Sequence, residues 1–205
     1  MLTSKSPTPS LEICLAIYRL APRGGLEDNC LRIAEELESR GHKVTFLVAG
    51  DAPALPMKVV HLTEGANSGS NHGRVLSFAK QAAKAVTDGR FDRSVAFQTM
   101  PGFDFIFLAD KIRNNPQTPW WKRITPRFRT YAELEADCFS KESRTKLIGL
   151  AESQIAPFRL RYSLEPSQVR IAPPTLSPQK QNAGGRSLSV RLALRKQLGI
   201  PADAD

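Results

Sequence analysis

Short apolar runs alternate along this chain with amphipathic stretches of helical period, and that alternation limits the fold more than any other feature. Leu11 to Tyr18 reads as a buried strand, apolar almost throughout, and Leu26 to Arg40 places Leu26, Cys30, Ile33, Ala34 and Leu37 on one helical face. Gly41 ends that helix. Strands follow at Lys43–Val48, Lys58–Leu62, Ser94–Phe97, Thr145–Gly149 and Val169–Ala172, and Phe105–Leu108 reads as a further short strand or a helical turn. Helices are expected at Val75–Thr87, Tyr131–Phe139, Ala151–Leu160 and Ser187–Leu198, with a Gly/Ser/Asn-rich loop over Thr63–Arg74. Strand-helix alternation of this kind argues a Rossmann-like α/β fold, a parallel sheet with helices on both faces.

In such a sheet the ligand sits at the carboxyl ends of the strands. Gly24-Gly25 falls there, between the first strand and the first helix. A glycine loop opening a helix aims unpaired N–H groups and the positive dipole end at an anion, although the same pair also serves as plain turn chemistry. No G-x-G-x-x-G fingerprint and no Walker lysine accompany it, so neither a dinucleotide site nor a P-loop is supported.

With 205 residues, 41% of them hydrophobic, the chain can bury a core, and no apolar run approaches the ~20 residues of a membrane span. The start, Met1 to Ser10, is polar and lacks a signal peptide's apolar core; it is expected to be disordered. Cys14, Cys30 and Cys138 are scattered and lie apart from His42, His61 and His72, so no metal site is expected and a reduced, cytoplasmic setting fits.

The net charge of +9 is unevenly spread. Residues 111–132 hold six basic side chains, Lys111, Arg113, Lys122, Arg123, Arg127 and Arg129, and no acid, with Trp120, Trp121, Phe128 and Tyr131 among them. Basic residues interleaved with aromatics suit an anionic membrane surface. A nucleic-acid groove or a solvated loop has the same composition. Beyond Pro174 a Pro/Gln/Gly/Ser-rich linker precedes the last, basic helix. The expected organisation is therefore a disordered 1–10, a Rossmann-like domain over 11–174, and a linker and helix over 175–205.

Several motifs carry a family resemblance. Ile17-Tyr18-Arg19-Leu20-Ala21-Pro22-Arg23-Gly24-Gly25-Leu26, followed by Arg40-Gly41-His42-Lys43-Val44, resembles the start of family-four glycosyltransferases. Asn71-His72-Gly73-Arg74, Met100-Pro101-Gly102-Phe103-Asp104, Ala109-Asp110, Arg123 to Arg129, Glu142 to Leu147 and Pro173-Pro174 are similar to the lipopolysaccharide core glucosyltransferase I group, in the same order. The resemblance covers nearly all of Leu11 to Asp205.

It implies the N-terminal, acceptor-binding domain of a GT-B enzyme that uses no metal or cofactor, with the C-terminal donor domain absent. The implied reaction passes glucose from UDP-glucose to a heptose of the lipopolysaccharide inner core, with retention, on the cytoplasmic face of the inner membrane. Residues 111–132 are the implied membrane contact, and nucleic acid is not an expected partner. Arg23, Gly24 and Gly25 would then face the donor diphosphate. Asp104 is expected in the cleft as a catalytic or acceptor-binding carboxylate, or else as a loop cap. His72 and Arg74 are expected in a flexible loop, binding acceptor or merely lying at the surface. One departure stands out: where the group carries an aspartate four residues past the second glycine, this chain has Asn29, which takes no proton at neutral pH. Either Asp28, one place earlier and about 100° around the helix, takes the catalytic role through a small shift of the helix start, with Asn29 binding acceptor, or acceptor activation is weakened. Weakened or altered acceptor activation is expected, and the isolated chain is expected to be inactive. The alternative is a non-catalytic module that binds anionic membrane or acceptor lipid.

Overall fold

The computed structural model describes residues 9–20, 24–50, 52–62, 69–173, 188–199 and 201. The expected disordered start, apart from Pro9 and Ser10, and the linker over 175–186 lie outside the described residues. The chain divides into two compact units, Met1–Ala172 and Pro173–Asp205.

The first unit holds seven parallel strands: β1 (Glu12–Ala16), β2 (Lys43–Val48), β3 (Lys58–His61), β4 (Arg93–Ala96), β5 (Phe105–Leu108), β6 (Lys146–Gly149) and β7 (Val169–Ile171). Their order across the sheet is β3-β2-β1-β4-β5-β6-β7. β1 pairs with both β2 and β4, with Ala16 opposite Leu47 on one side and Ala96 on the other. A central parallel strand has no solvated face, which is why Ile13 to Ala16 are all buried.

Alternate residues of β1 feed two cores. Ile13 and Leu15 join Cys30, Ala34, Phe46 and Phe97 beneath α1 (Gly25–Ser39). Cys14 and Ala16 join Phe78, Ala82, Leu134 and Phe158, which come from the helices on the other face. Those helices are α2 (Asn71–Asp88), α4 (Pro126–Cys138) and α5 (Glu152–Tyr162), with a single turn, α3 (Trp120–Arg123), before α4. A fully buried Phe such as Phe78 or Phe158 contributes on the order of 2–3 kcal/mol. Gly41 stops α1 by adopting φ +87°, which a side chain would strain. In the second unit, α6 spans Leu188–Gln197.

One polar knot fixes the segment between β5 and α4. Glu135, 1% exposed in the middle of α4, accepts hydrogen bonds from the backbone N–H groups of Arg113 (2.7 Å) and Asn114 (3.0 Å) and from the Tyr162 hydroxyl (2.7 Å). Asn114 donates to the Ala132 carbonyl and to the Tyr162 oxygen. Three donors compensate a carboxylate that burial alone would penalise. The knot ties a loop, α4 and α5 together.

Burial holds the Tyr162 hydroxyl well above its ordinary pKa of 10.0, and burial pushes Cys14 up to about 12 from 9.0. Both groups ionise more easily in the unfolded chain. The stability they guard is therefore whole below their unfolded pKa values and is lost as pH rises towards the folded ones. Denaturant titrations should show stability falling from about pH 9 upward, and the fall above about pH 10 should be shallower in Tyr162→Phe. Equal slopes would mean that Tyr162 does not titrate in this way.

Candidate functional site

Strand order reverses between β1 and β4, so their connections leave in opposite directions and open a crevice at the carboxyl edge. The chain stays pinned as it leaves the strands there. Phe97 donates its N–H to Ala16, and Ala49 and Gly50 donate theirs to the Tyr18 carbonyl. The Tyr18 ring packs edge-on against Phe78 of α2, with centroids 5.5 Å apart. Arg19 lies across Gly50, where an added Cβ would come within 3.1 Å of the arginine stem, and its guanidinium rests over the Tyr18 ring. Gln98, just past β4, has a buried side-chain oxygen with no hydrogen-bond partner among the described residues. Neither Arg19 nor Gln98 was singled out from the sequence as a site residue. The available signal was their position, directly after a strand at the reversal.

Two helices start at this edge. In α1, Gly24 is the cap in extended conformation and Gly25 the first helical residue. Space beside Gly25 is open, with no atom within 4 Å of where a Cβ would stand. Beside Gly24 it is not: the carboxylate of Glu27 occupies that space. The first turn thus brings its own anions, Glu27 and Asp28, to the positive end of the dipole. Close approach by a ligand anion is supported at Gly25, and at Gly24 it requires Glu27 to move. Asp28 and Asn29 are the fourth and fifth helical residues, both half-buried. Arg23 lies outside the described residues.

The placement of His72 and Arg74 corrects the sequence expectation. They belong to the first turn of α2, not to a flexible loop. Ser70 caps that helix by accepting from the Gly73 N–H (3.2 Å), and the His72 ring lies 3.2 Å from the same hydroxyl. Arg74 donates to Asn71 at 3.0 Å. A parallel crossover from β3 to β4 makes α2 begin at the carboxyl edge, so both helix N-termini open on the same side of the sheet.

Asp104 is the larger correction. The chain passes from the top of β4 to the foot of β5 without a helix, turning at Gly102, whose φ of +87° would strain a side chain and where an added Cβ would stand 3.2 Å from that of Ala83. Asp104 therefore sits before β5, at the amino edge, about 13 Å (one short strand) from the crevice. There its carboxylate accepts from the Ser94 N–H (2.8 Å) and hydroxyl (2.9 Å), and its own N–H donates to the Ser94 hydroxyl (3.0 Å). Thr145 likewise donates to the Phe103 carbonyl. These contacts lock strand register. With Asp92, Asp137 and Arg144 nearby, Asp104 lines a polar cavity of about 530 Å³ on the side of the sheet away from Gly25. Among the described residues no three His, Cys, Asp or Glu side chains gather as a metal site.

The basic-aromatic segment forms a surface of its own. Lys111, Arg113, Lys122, Arg123, Arg127 and Arg129 are all exposed, as are Trp120 (74%), Trp121 (54%) and Ile124 (66%). Lys122 lies over the Trp121 ring and Arg113 over Tyr131. α4 starts earlier than the sequence suggested, at Pro126, with Thr125 capping the Phe128 N–H.

No protein-family model matches the chain. Over 172 residues it is 30% identical to the lipopolysaccharide glucosyltransferase WaaG of Escherichia coli (strain K12), a stretch covering 82% of this chain and 46% of that protein. Its fold matches the crystal structure of WaaG, a glycosyltransferase involved in lipopolysaccharide biosynthesis, with a TM-score of 0.75 at 29% identity, over 92% of this chain and 52% of that one. A structure of LpCGTa in complex with UDP matches with a TM-score of 0.54 at 13% identity, over 89% and 56%, and shares the fold alone. The chain spans about half the length of these relatives. The resemblance to the lipopolysaccharide core glucosyltransferases and the parallel α/β fold are both borne out.

Two substitutions separate the edges. Gly25→Ala meets open space at a helical position and should raise stability by about 0.5 kcal/mol, yet weaken binding of inorganic pyrophosphate. Asp104→Ala should cost about 1–3 kcal/mol in denaturant titration and leave pyrophosphate binding unchanged. The reverse pattern in calorimetric titrations would return the site to the amino edge.

Proposed function

We propose that the chain is the acceptor-side half of a GT-B glycosyltransferase, which transfers glucose from UDP-glucose to a heptose of the lipopolysaccharide inner core with retention. Support comes from the similarity to WaaG and from one observation above all: two helix N-termini open at the carboxyl edge beside the strand-order reversal.

In this reading the departing UDP gathers charge on its β-phosphate, and the free N–H groups of the first α1 turn meet it at Gly25. Preorganised donors lower the barrier because they need no reorientation as the charge develops. Arg23, next to the glycine pair, adds a cation. His72 and Arg74 hold acceptor hydroxyls or phosphate from the α2 side. Asp28 is the residue in this turn able to accept a proton, whereas Asn29 can only orient a hydroxyl. Acceptor activation is accordingly weaker than an aspartate at Asn29 would give. Asp104 has no part in these steps. The other half-site, which grips the nucleotide, belongs to the length that the relatives have and this chain does not span.

The same half would work at the cytoplasmic face of the inner membrane as a peripheral protein. Among the described residues no helix is long and apolar enough to cross a membrane. Exposed Trp120 and Trp121 suit the water–lipid boundary, and each basic residue near an anionic surface adds about 1 kcal/mol. A second reading, a non-catalytic module that binds anionic membrane or acceptor lipid, draws on this surface together with Asn29.

With UDP-glucose and heptose-terminated lipopolysaccharide, the 205-residue chain alone should give no multiple turnovers. Sustained turnover would overturn the half-site reading. In co-sedimentation, charge reversal at Arg123, Arg127 and Arg129 together should weaken binding to phosphatidylglycerol vesicles at least tenfold. Unchanged binding would remove the membrane contact from this segment.

A further inference from the structure

α5 is apolar on two sides. Ile155 and Phe158 are buried in the core, as a helix packed on a sheet requires. On its outward side Ala156, Pro157 and Leu160 form a second stripe, and Leu160 is 88% exposed. With Ile112 and Pro116 of the facing loop, this stripe lines a groove of about 700 Å³. A helix flanking a sheet normally turns charge outward, so an apolar trough there calls for an occupant.

The groove does not end in water alone. Asn115, Pro116 and Arg161 belong both to it and to a smaller cavity of about 300 Å³ that Arg123 and Phe128 also line. The apolar groove therefore adjoins, across Asn115, Pro116 and Arg161, a mouth holding two guanidinium groups. The mouth is prebuilt: Arg123 donates to the carbonyls of Asn115 and Pro116, and the Glu135 knot fixes the adjoining loop at Arg113 and Asn114. Arg161 packs over the Tyr162 ring, which belongs to the same knot.

We propose that this trough holds one acyl chain of an anionic phospholipid along α5, with the lipid phosphate between Arg123 and Arg161. The proposal rests on the membrane reading above and deepens it, from contact with a surface to capture of a single lipid. Charge complementarity and continuity with the α3–α4 surface select this occupant. A second copy of the chain seated by two-fold symmetry would bring like-charged mouths together.

The test uses the full chain with Ser153→Cys, in the groove lining about two turns of α5 from Arg161, carrying an environment-sensitive fluorophore. Cys14, Cys30 and Cys138 are buried, so labelling falls on the introduced thiol. Vesicles contain phosphatidylglycerol brominated on its acyl chains, in a phosphatidylcholine background. The expected results are quenching of both the fluorophore and the tryptophan emission, and roughly tenfold weaker vesicle affinity in Leu160→Asp or in the groove-filling Ala156→Trp. Quenched tryptophans with an unquenched fluorophore would overturn the lipid groove while leaving the membrane contact intact. If neither is quenched, both readings fall. A fluorophore signal that follows protein concentration without vesicles would make the groove an interface between copies and overturn the proposal. So would displacement of the fluorophore's signal by an acidic peptide with no response to lipid.

Discussion

The carboxyl-edge site of the first unit depends on β1 being paired in parallel on both sides. Its N–H and C=O groups are satisfied by β2 and β4, whose connections run to opposite sides, and the crevice exists because of that divergence. Residues just past the strands continue the pairing, with Phe97 on Ala16 and Ile17 on Leu47, so the edge is rigid where Tyr18, Arg19 and Gln98 emerge. The same parallel geometry forces α1 and α2 to begin at that edge. Two positive dipole ends on one side follow from topology, and the glycine at the start of α1 leaves the backbone open there.

The two edges of the sheet divide the polar residues by task. At the carboxyl edge, Gly25, His72, Arg19 and Gln98 lie just past the strands or at the helix starts beside the strand-order reversal. At the amino edge, Asp104 and Thr145 spend their hydrogen bonds on neighbouring strands and fix register. A third polar group, the buried Glu135 knot, sets the stance of the basic-aromatic surface relative to α5. Surface chemistry on α3 and α4 is thereby held by a carboxylate that is itself buried.

Much of this was legible in the chain. β2 begins and ends where the apolar pattern put it, between the Gly41-His42 turn and Gly50, whereas the four apolar residues of β5 fitted a helical turn as well as a strand and only the sheet decides between them. The start of α2 was missed because Asn71 to Arg74 carries no apolar residue and includes a glycine; its signal was the cap, Ser70 followed three places later by Gly73 N–H. The start of α4 hid behind its basic residues, although Thr125-Pro126 is a cap followed by a proline suited to the first helical position. Asp104 was misplaced for a different reason. An aspartate a few residues past a strand normally stays at the carboxyl edge, but here an eight-residue return turning at Gly102 carries it to the other end. Nothing local distinguishes those outcomes. Nor does a glycine pair reveal that Glu27 folds back over one of its members.

The central claim is that anionic ligand meets the carboxyl edge, at the first turns of α1 and α2. Amide chemical shifts of the isotopically labelled chain, followed during titration with inorganic pyrophosphate, test it most directly. The account predicts saturable shifts at Gly25 and Leu26, with His72 and Gly73 moving in step. Shifts confined to Ser94, Asp104 and Thr145 would contradict it.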